Sequence, residues 1–289
     1  MRGIRCLCLC LCLLLLVFAG SSAIAASAPP TRDGGELMHA FEQGLAEPSC
    51  IDASPRWRRH YARAATRLAD EDEDEVALAL FAYVLDEVRN AGLPSELALI
   101  PFVETRFHPD ARSAGGPAGL WQFTASTARR NGIRVQAGRD GRMSVVSSTR
   151  AAVKYLGRLQ RMFGHQWRQT AMAYNAGDGA LKASRRKHAR LLSGITRSYP
   201  VKLHAIACLF IEQGNDDRWQ RAIERPLPRL VPRTLPSSTH NLRGWARAQG
   251  LDPDLVIALN PGWHSGSRNI LAPVTGHATA GPRGHRKAN

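Results

Sequence analysis

The residue best suited to acid–base chemistry is Glu104, in the stretch Leu93 to Phe123, LPSELALIPFVETRFHPDARSAGGPAGLWQF. Leu97, Ile100 and Val103 recur beside it at helical spacing, so the sequence predicts a helix with one buried side. Glu104 would lie at the edge of that side. A carboxyl group in such a place is partly removed from water, which favours its neutral form.

Prolines and glycines should end this helix soon after Glu104. Pro101 would divide the segment into two short turns or kink it, and Pro109 with the glycines that follow would stop it. Both the negative end of the helix dipole and the nearby rings of Phe102 and Phe107 favour a protonated carboxyl. A carboxyl that keeps its proton at working pH can act as a general acid toward a leaving group.

Spacing alone leaves a second interpretation of Glu104 open. The carboxylate could lie at the surface and pair with Arg106 or Arg112, as exposed charges on short helices commonly do. The neighbouring residue types do not decide between these two interpretations. Motifs elsewhere in the chain favour the catalytic one.

Four blocks of residues, in order over about a hundred positions, resemble the signature motifs of the bacterial lytic transglycosylases, most closely the membrane-bound type D branch. The blocks are Glu104-Thr105, Ser113 to Phe123 with its Gly-Leu-Trp-Gln-Phe run, Ala173-Tyr174-Asn175-Ala176-Gly177, and Tyr199. Each block is weak by itself. Their order and spacing together make the resemblance specific.

The resemblance implies an all-α, lysozyme-like (goose-type) catalytic domain and a lyase that cuts peptidoglycan between N-acetylmuramic acid and N-acetylglucosamine without consuming water. Glu104 would be the single catalytic residue, first as acid and then as base. Tyr199 would point its hydroxyl at Glu104, and Asn175 would bond an acetamido group. The implied substrate-binding residues are Thr105, Ser113, Gly119, Trp121, Gln122, Tyr174, Asn175 and Tyr199.

Three positions depart from the family pattern. Thr105 stands where the family usually has serine, Pro117 where alanine is common, and Ile195 where an acidic residue usually begins the last block. These departures bear on substrate affinity and on the detail of the cleft. They leave Glu104, Gln122 and the other motif residues in place.

The first 26 residues have the features of an export signal. Arg2 and Arg5 precede an apolar run from Cys6 to Ala19, and Ala23-Ile24-Ala25 offers a cleavage site. The apolar run is short for a membrane span. The four cysteines within the signal are each followed by leucine, so no lipoprotein site is expected. We therefore predict a periplasmic protein with no stable membrane insertion after signal removal, with an uncleaved anchor as the alternative.

Two cysteines, Cys50 and Cys208, remain outside the signal. In an oxidising compartment they could form one long-range disulfide. A buried free thiol at Cys208 is equally natural, because that residue lies in the apolar run Val201 to Ile211. No Cys and His spacing resembles a metal site, and we expect no metal and no cofactor.

The net charge of +15, about +13 without Arg2 and Arg5, indicates an anionic partner. The basic residues are scattered and lack the aromatic and basic core of an RNA-binding module, so we expect no nucleic acid. An exported protein meets the cell wall and the membrane surface. The predicted partner is the glycan strand of peptidoglycan.

Helical periodicity dominates the chain and strand-like alternation is scarce, which predicts an all-α catalytic domain. We predict a helix from Ser147 or Ser148 to Phe163 and others over Trp57 to Leu68, Val76 to Val88, Gln166 to Ala176 and Val201 to Glu212. The acidic run Asp70 to Glu75 should cap the helix after it. The expected divisions are a signal (1–26), a loosely ordered lead-in (27–55), the catalytic domain (56–225), a small module (226–274) and a disordered tail (275–289). Within the lead-in, Leu37 to Leu45 could form a short helix.

The small module resembles a degenerate LysM peptidoglycan-binding repeat, an α/β unit. Ser237-Ser238-Thr239 should cap one helix and Asp252-Pro253 should open another, followed by Asn260-Pro261. The usual Gly-Asp-Thr-Leu opening is missing and the first strand is hard to locate. The module could bind glycan or merely pack on the catalytic domain.

Three functions remain open at this point. The first is a peptidoglycan lytic transglycosylase. The second is a wall-binding or scaffold protein with a decayed active site, which the change at Ile195 would fit. The third is a hydrolytic muramidase, which would need a second carboxylate in the cleft.

Overall fold

The computed structural model describes residues 30–68, 75–187, 192–212, 219, 221, 224 and 226–275. The predicted signal at 1–26, nearly all of the acidic run 70–75 and the tail from 276 lie outside the described residues. None of the described helices is both long enough and apolar enough to cross a membrane.

The described chain is mostly helical, as the periodicity predicted. The α-helices are α1 (Gly34–Gln43), α2 (Pro55–Leu68), α3 (Glu75–Asn90), α4 (Ile100–Thr105), α5 (Ala125–Arg130), α6 (Val145–Met162), α7 (Trp167–Ala176), α8 (Asp178–Lys187), α9 (Gly194–Glu212), α10 (Leu242–Ala248) and α11 (Pro253–Leu259). Two 3₁₀ helices cover Ser95–Leu99 and Gly141–Met143. Helix α6 begins earlier than expected because Ser144 caps it, accepting from the Ser147 backbone N–H at 3.3 Å.

Short strands form three antiparallel pairs in the described residues. The strands are β1 (Thr31–Arg32), β2 (Val135–Gln136), β3 (Arg139–Asp140), β4 (Leu227–Pro228), β5 (Leu230–Thr234) and β6 (Asn269–Pro273). Strand β1 pairs with β4, β2 with β3, and β5 with β6. The first pair ties the start of the described chain to the segment that follows α9.

The core forms around α3 and α9. Helix α3 presents a nearly continuous buried run from Ala77 to Leu85, and α9 packs against α2 and α7. Phe102 and Phe107, on either side of Glu104, join this core through Phe210 of α9 and Phe81 of α3, with ring centroids 5.5 and 5.8 Å apart. Such aromatic contacts fix the segment that carries Glu104.

The predicted lead-in is better ordered than expected. Leu37 and Phe41 of α1 are fully buried, and the Phe41 ring lies 5.6 Å from that of Phe81. Further along, Glu47 pairs with Arg168 and accepts a hydrogen bond from the Trp167 indole. The lead-in thus contains a helix near the place where the sequence allowed one, and two apolar positions of that helix reach the central core.

The C-terminal unit has the order β5, α10, α11, β6. Its first strand was hard to find in the sequence because Pro232 interrupts the pattern; proline is tolerated in an edge strand because it need not donate to a partner. Asn241, rather than the serine cluster, caps α10, whereas Asp252 caps α11 as predicted. Asn260 joins α11 to β6 through hydrogen bonds to Leu271 in both directions.

This unit packs on the helical domain. Leu230, Leu259 and Leu271 belong to the main core, and β6 contacts α6. A side chain at Gly262 would come within 2.5 Å of Met143. The sequence left open whether this unit binds glycan or packs on the catalytic domain. The structure shows the packing.

A disulfide joins Cys50 to Cys208 across 158 residues, with the Cα atoms 5.6 Å apart. It fixes the segment before α2 to the buried C-terminal half of α9. Cross-links of this length chiefly reduce the entropy of the unfolded chain. The bridge therefore helps to hold α9 in place.

Replacing both Cys50 and Cys208 with alanine should lower the free energy of unfolding by about 2–4 kcal/mol, because the unfolded chain regains the freedom that the bridge removes. Urea unfolding of the oxidised protein and the double variant measures this difference. Adding a reductant to the wild type is the control and should reproduce most of the loss. An unchanged midpoint in both experiments would contradict the prediction.

Candidate active site

Glu104 lies in the last turn of α4, as the prolines and glycines predicted. The 3₁₀ helix Ser95–Leu99 leads directly into α4, and Pro101 stands in the first turn of α4, where it breaks no hydrogen bond. The helix ends because Arg106 and Phe107 adopt left-handed backbone angles, with φ of 55° and 63°. The predicted two short turns are therefore present.

The arginines near Glu104 have other contacts. The Arg106 guanidinium lies over the Tyr61 ring at 4.6 Å and donates to the Phe102 carbonyl at 2.6 Å. Arg112 is mostly exposed and faces Asp140 at 3.5 Å. These contacts do not support the surface ion pair that spacing alone allowed for Glu104.

The expected contact between Tyr199 and Glu104 is present. The Tyr199 hydroxyl, on α9, donates to Glu104 Oε1 at 2.5 Å. Tyr199 is 2% exposed, and burial raises the pKa of its hydroxyl well above the ordinary value, so it remains a proton donor. The two residues are 95 positions apart, and the contact joins the ends of α4 and α9.

Burial raises the pKa of Glu104 above its ordinary value of 4.5. The Tyr199 hydrogen bond and the positive charge of Lys202 oppose this rise, because both favour the carboxylate. Lys202 lies one turn after Tyr199 on α9, with its ammonium 4.6 Å from the Trp57 ring centre. Glu104 is thus a carboxyl group whose neutral form is favoured by desolvation and whose anion has two stabilising neighbours.

Glu104 opens onto a cleft of about 370 Å³. One wall is the loop that carries Ser113, Pro117 and Gln122, and the other is the end of α7 with Tyr174 and Asn175. The sequence therefore identified residues on both walls. It missed the floor, which consists of Tyr155 with Thr124, Thr127 and Arg130 from the start and face of α5.

Gln122 uses its side chain to hold the cleft loop. Its amide nitrogen donates to the carbonyls of Gly119 at 2.9 Å and Ala111 at 3.2 Å, and its amide oxygen accepts from the Ser113 hydroxyl at 2.7 Å. The Gln122 backbone is left-handed, with φ of 47°, and these hydrogen bonds offset the strain of that conformation. None of these side-chain bonds of Gln122 goes to Glu104.

Asn175 is exposed on the opposite wall and is oriented by the start of α9. Its amide oxygen accepts from the Thr196 hydroxyl at 3.0 Å, and Thr196 is within 3.0 Å of the Ser193 hydroxyl. With the oxygen occupied, the Asn175 amide nitrogen is available to the cleft. Thr196 therefore orients Asn175, whereas Ile195 beside it is 65% exposed.

Four residues predicted to bind substrate are not among those that line the cleft, and one of them is Tyr199, which is buried and bonded to Glu104. Trp121 is fully buried and donates from its indole to the Thr149 hydroxyl at 2.9 Å. Thr105 is 7% exposed and donates to the carbonyls of Pro101 and Leu120. Gly119 is buried with φ of 74°, and a Cβ there would lie 2.0 Å from the Arg142 carbonyl. Trp121, Thr105 and Gly119 are therefore buried against other groups of the protein, and their contact with substrate stays a prediction.

Tyr174 both lines the cleft and bonds to the backbone beside it. It lines the cleft, and its hydroxyl donates to the Trp121 carbonyl at 2.6 Å. Its ring lies 5.9 Å from both Phe123 and Tyr155. The packing of Tyr174 therefore sets the shape of the cleft beside Glu104.

Arg142 is a supporting residue that the sequence did not indicate. It is 7% exposed and donates to the carbonyls of Gly116 at 2.7 Å and Phe123 at 3.0 Å, the two ends of the cleft loop. Asp140 balances its charge at 2.7 Å. No local sequence motif indicates such a residue, because its carbonyl partners come together only in the folded loop.

Glu104 is the only carboxylate among the described residues that line the cleft. Asp110 is exposed outside the cleft, and Asp178 is in an ion pair with Arg158 at 3.7 Å. The described cleft can therefore donate and accept a proton at one carboxyl group. It does not offer the carboxylate pair of an ordinary glycosidase.

Replacing Glu104 with glutamine should raise the Tm at pH 7. The folded state disfavours the Glu104 anion, so ionisation costs stability above the raised pKa, and this cost disappears below about pH 4, where the unfolded side chain is also protonated. Thermal unfolding from pH 4 to pH 8 measures the effect. Glu42→Gln, at an exposed site on α1, is the matched control. A Tm at pH 7 equal to or below that of the wild type would contradict the expectation.

Comparison with known proteins bears on the central part of the chain. Residues 86–192 match the family model described as Transglycosylase SLT domain. The chain is 39% identical over 109 residues to membrane-bound lytic murein transglycosylase D of Escherichia coli K12, which covers 37% of this chain and 24% of the relative. It is 40% identical over 86 residues to peptidoglycan transglycosylase gp16 of Escherichia phage T7, covering 29% of this chain and 6% of the relative.

The matched part thus spans about a quarter of the length of the Escherichia coli relative. A solved structure of an inactive mutant of lytic transglycosylase Slt from Pseudomonas aeruginosa aligns with a TM-score of 0.37 and 19% identity, covering 69% of this chain and 39% of that one. That structural similarity is too low to bear on the reaction. The resemblance to lytic transglycosylases that the four motifs predicted is confirmed by the family match over residues 86–192.

Proposed function

We propose that this protein is a peptidoglycan lytic transglycosylase that cleaves the β-1,4 bond between N-acetylmuramic acid and N-acetylglucosamine and leaves a 1,6-anhydro end. One observation carries the proposal: Glu104 is a desolvated carboxyl group, bonded to Tyr199, in a cleft with no other carboxylate among its described lining residues. The family match and the names of the relatives support the same reaction class.

In the first step Glu104 acts as the acid. Its proton passes to the glycosidic oxygen, the bond from that oxygen to C1 of the muramyl residue breaks, and the N-acetylglucosamine part leaves as an alcohol. Positive charge then develops at C1. The N-acetyl group of the muramyl residue can relieve this charge, so the reaction needs no protein nucleophile.

In the second step Glu104 acts as the base. As a carboxylate it takes the proton of the muramyl 6-hydroxyl, and O6 bonds to C1 to close the anhydro ring. The carboxyl group returns to its starting form, and no water is consumed. Tyr199 and Lys202 favour the carboxylate between the two steps, while burial favours recovery of the proton.

The other cleft residues have roles that follow from their contacts. Asn175, oriented by Thr196, can donate from its amide nitrogen to an acetamido carbonyl. Ser113 and Gln122 keep the facing loop rigid, and Tyr174 sets the width of the cleft beside Glu104. These positions hold a sugar within reach of one carboxyl group, which is the main requirement of this chemistry.

The two ends of the chain are included in the proposal. The signal predicted at 1–26 would export the protein to the periplasm, where peptidoglycan lies. The unit formed by β5, α10, α11 and β6 would be a degenerate LysM-like module. Its βααβ order supports that assignment, and its packing on the helical domain makes it part of one enzyme.

The products of sacculus digestion test the reaction. Purified protein without residues 1–26 should release muropeptides with 1,6-anhydromuramyl ends. In mass spectrometry each such product should be about 18 Da lighter than its reducing counterpart, because hydrolysis adds one water per cut and this reaction adds none. Glu104→Gln is the matched variant, because it keeps an acceptor for Tyr199 but has no proton to give. It should sediment with sacculi and release nothing.

Other outcomes would replace the proposal. Reducing ends would indicate hydrolysis and a water-activating carboxylate. Intact sacculi that bind the wild type and the Glu104→Gln variant equally would indicate a wall-binding protein with a decayed site.

A further inference from the structure

A second cavity, of about 470 Å³, lies between the helical domain and the C-terminal unit. The helical domain contributes the segment from Gly132 to Gly141 and the first turn of α6, and the C-terminal unit contributes the loop 262–269 between α11 and β6. None of its lining residues also lines the Glu104 cleft. The cavity is therefore a separate site that exists because the two units pack together.

This cavity carries an excess of positive charge. Arg134 and Arg139 line it from the helical domain, and Arg268 lines it from the C-terminal unit; none of these three has an ion-pair partner in the part of the chain that the structure describes. Asp140 is the one carboxylate among the described lining residues, and it is already held by Arg142 at 2.7 Å. The arginines therefore lack a described anion.

The same cavity offers hydrogen-bond donors. Ser147 and Ser267 place hydroxyl groups along its lining, while the Ser144 hydroxyl donates to that of Ser147 at 3.2 Å. His264 accepts the Gly266 backbone N–H at Nδ1, at 3.1 Å, which leaves Nε2 to carry the proton. Guanidinium forks together with hydroxyl donors match the geometry of carboxylate groups.

The cavity and the cleft are neighbours. Thr127 and Arg130 of α5 line the cleft, and the residues that follow α5, from Gly132 to Arg134, line the cavity. Between the two sites Arg142 contacts the Phe123 carbonyl on the cleft side and Asp140 on the cavity side. A ligand that extends from the cleft across α5 would reach the three arginines of the cavity.

We propose that this cavity binds the free carboxylates of a peptide stem attached to the glycan strand that occupies the cleft. The inference rests on the proposed function, because that function supplies a substrate whose muramyl residues carry acidic peptides. Tethering to the bound strand would give the peptide a high effective concentration at the cavity. The size of the cavity suits the end of a short peptide rather than a polymer.

Charge reversal at the cavity tests this proposal on turnover. Arg268→Glu, and Arg134→Glu from the opposite wall, should raise the half-saturation concentration for stem-bearing sacculi roughly tenfold with kcat unchanged, the size expected for losing one charge-assisted contact. On strands stripped of their stems by an amidase, both variants should match the wild type. Arg247→Glu, an exposed site on α10 outside the cavity, is the matched control.

Failure of the proposed function would look different, since the wild type would then be inactive on both substrates. If the wild type is active and Arg268→Glu behaves like Arg247→Glu on stem-bearing sacculi, the cavity proposal is overturned. Equal losses on stripped and stem-bearing strands would overturn it too.

A binding measurement that does not depend on turnover completes the test. Calorimetry of the Glu104→Gln protein with a free tetrapeptide stem should show binding that Arg268→Glu weakens roughly tenfold and Arg247→Glu leaves unchanged. The same peptide with its carboxylates amidated should not bind. Binding of inorganic phosphate without binding of the peptide would assign the cavity to another anion and overturn the proposal.

Discussion

The hydrogen bond from Tyr199 to Glu104 is the contact on which the rest of the site depends. A carboxyl group at the end of a short helix, partly out of water, would lose its protein partner if α9 moved by a few ångströms. The fold prevents this in several ways. Phe102 packs on Phe210 of α9, and the Cys50–Cys208 disulfide fixes the C-terminal half of the same helix. Contacts between residues far apart in the sequence thus keep the Glu104 carboxyl group next to the Tyr199 hydroxyl.

The cleft walls are held mainly by backbone carbonyls that accept from buried side chains. Arg142 holds two points of the loop, Gln122 holds two more, and Tyr174 reaches the carbonyl of Trp121. Such bonds leave few loose polar groups near Glu104, so the loop stays close to one geometry. A rigid cleft can favour the charge distribution of the transition state without reorganising.

The sequence predicted the local features of the site well. The position of Glu104 in a last turn follows from Pro101 and the small residues that come after, and these are short-range effects. The mostly helical architecture follows from periodicity. The contact with Tyr199 was expected from the family resemblance, because no local pattern relates residues 95 positions apart.

The differences from expectation concern the direction in which side chains point. Trp121, Thr105 and Gly119 lie within the motifs, yet they support the cleft from behind, and spacing in a loop does not reveal which side faces solvent. Arg142 was missed because its partners are carbonyls that only the folded loop brings together. The strand β5 was missed because it contains proline and pairs only with β6, far along the chain.

The most direct test of this account is the pH dependence of kcat/KM for the wild type and Tyr199→Phe. In the wild type, activity should fall as rising pH removes the Glu104 proton. In Tyr199→Phe the carboxylate loses a stabilising hydrogen bond, so this fall should move to higher pH. Tyr155→Phe, in the same cleft, is the control and should keep the wild-type position. A fall at unchanged or lower pH in Tyr199→Phe would contradict the central role given to this contact.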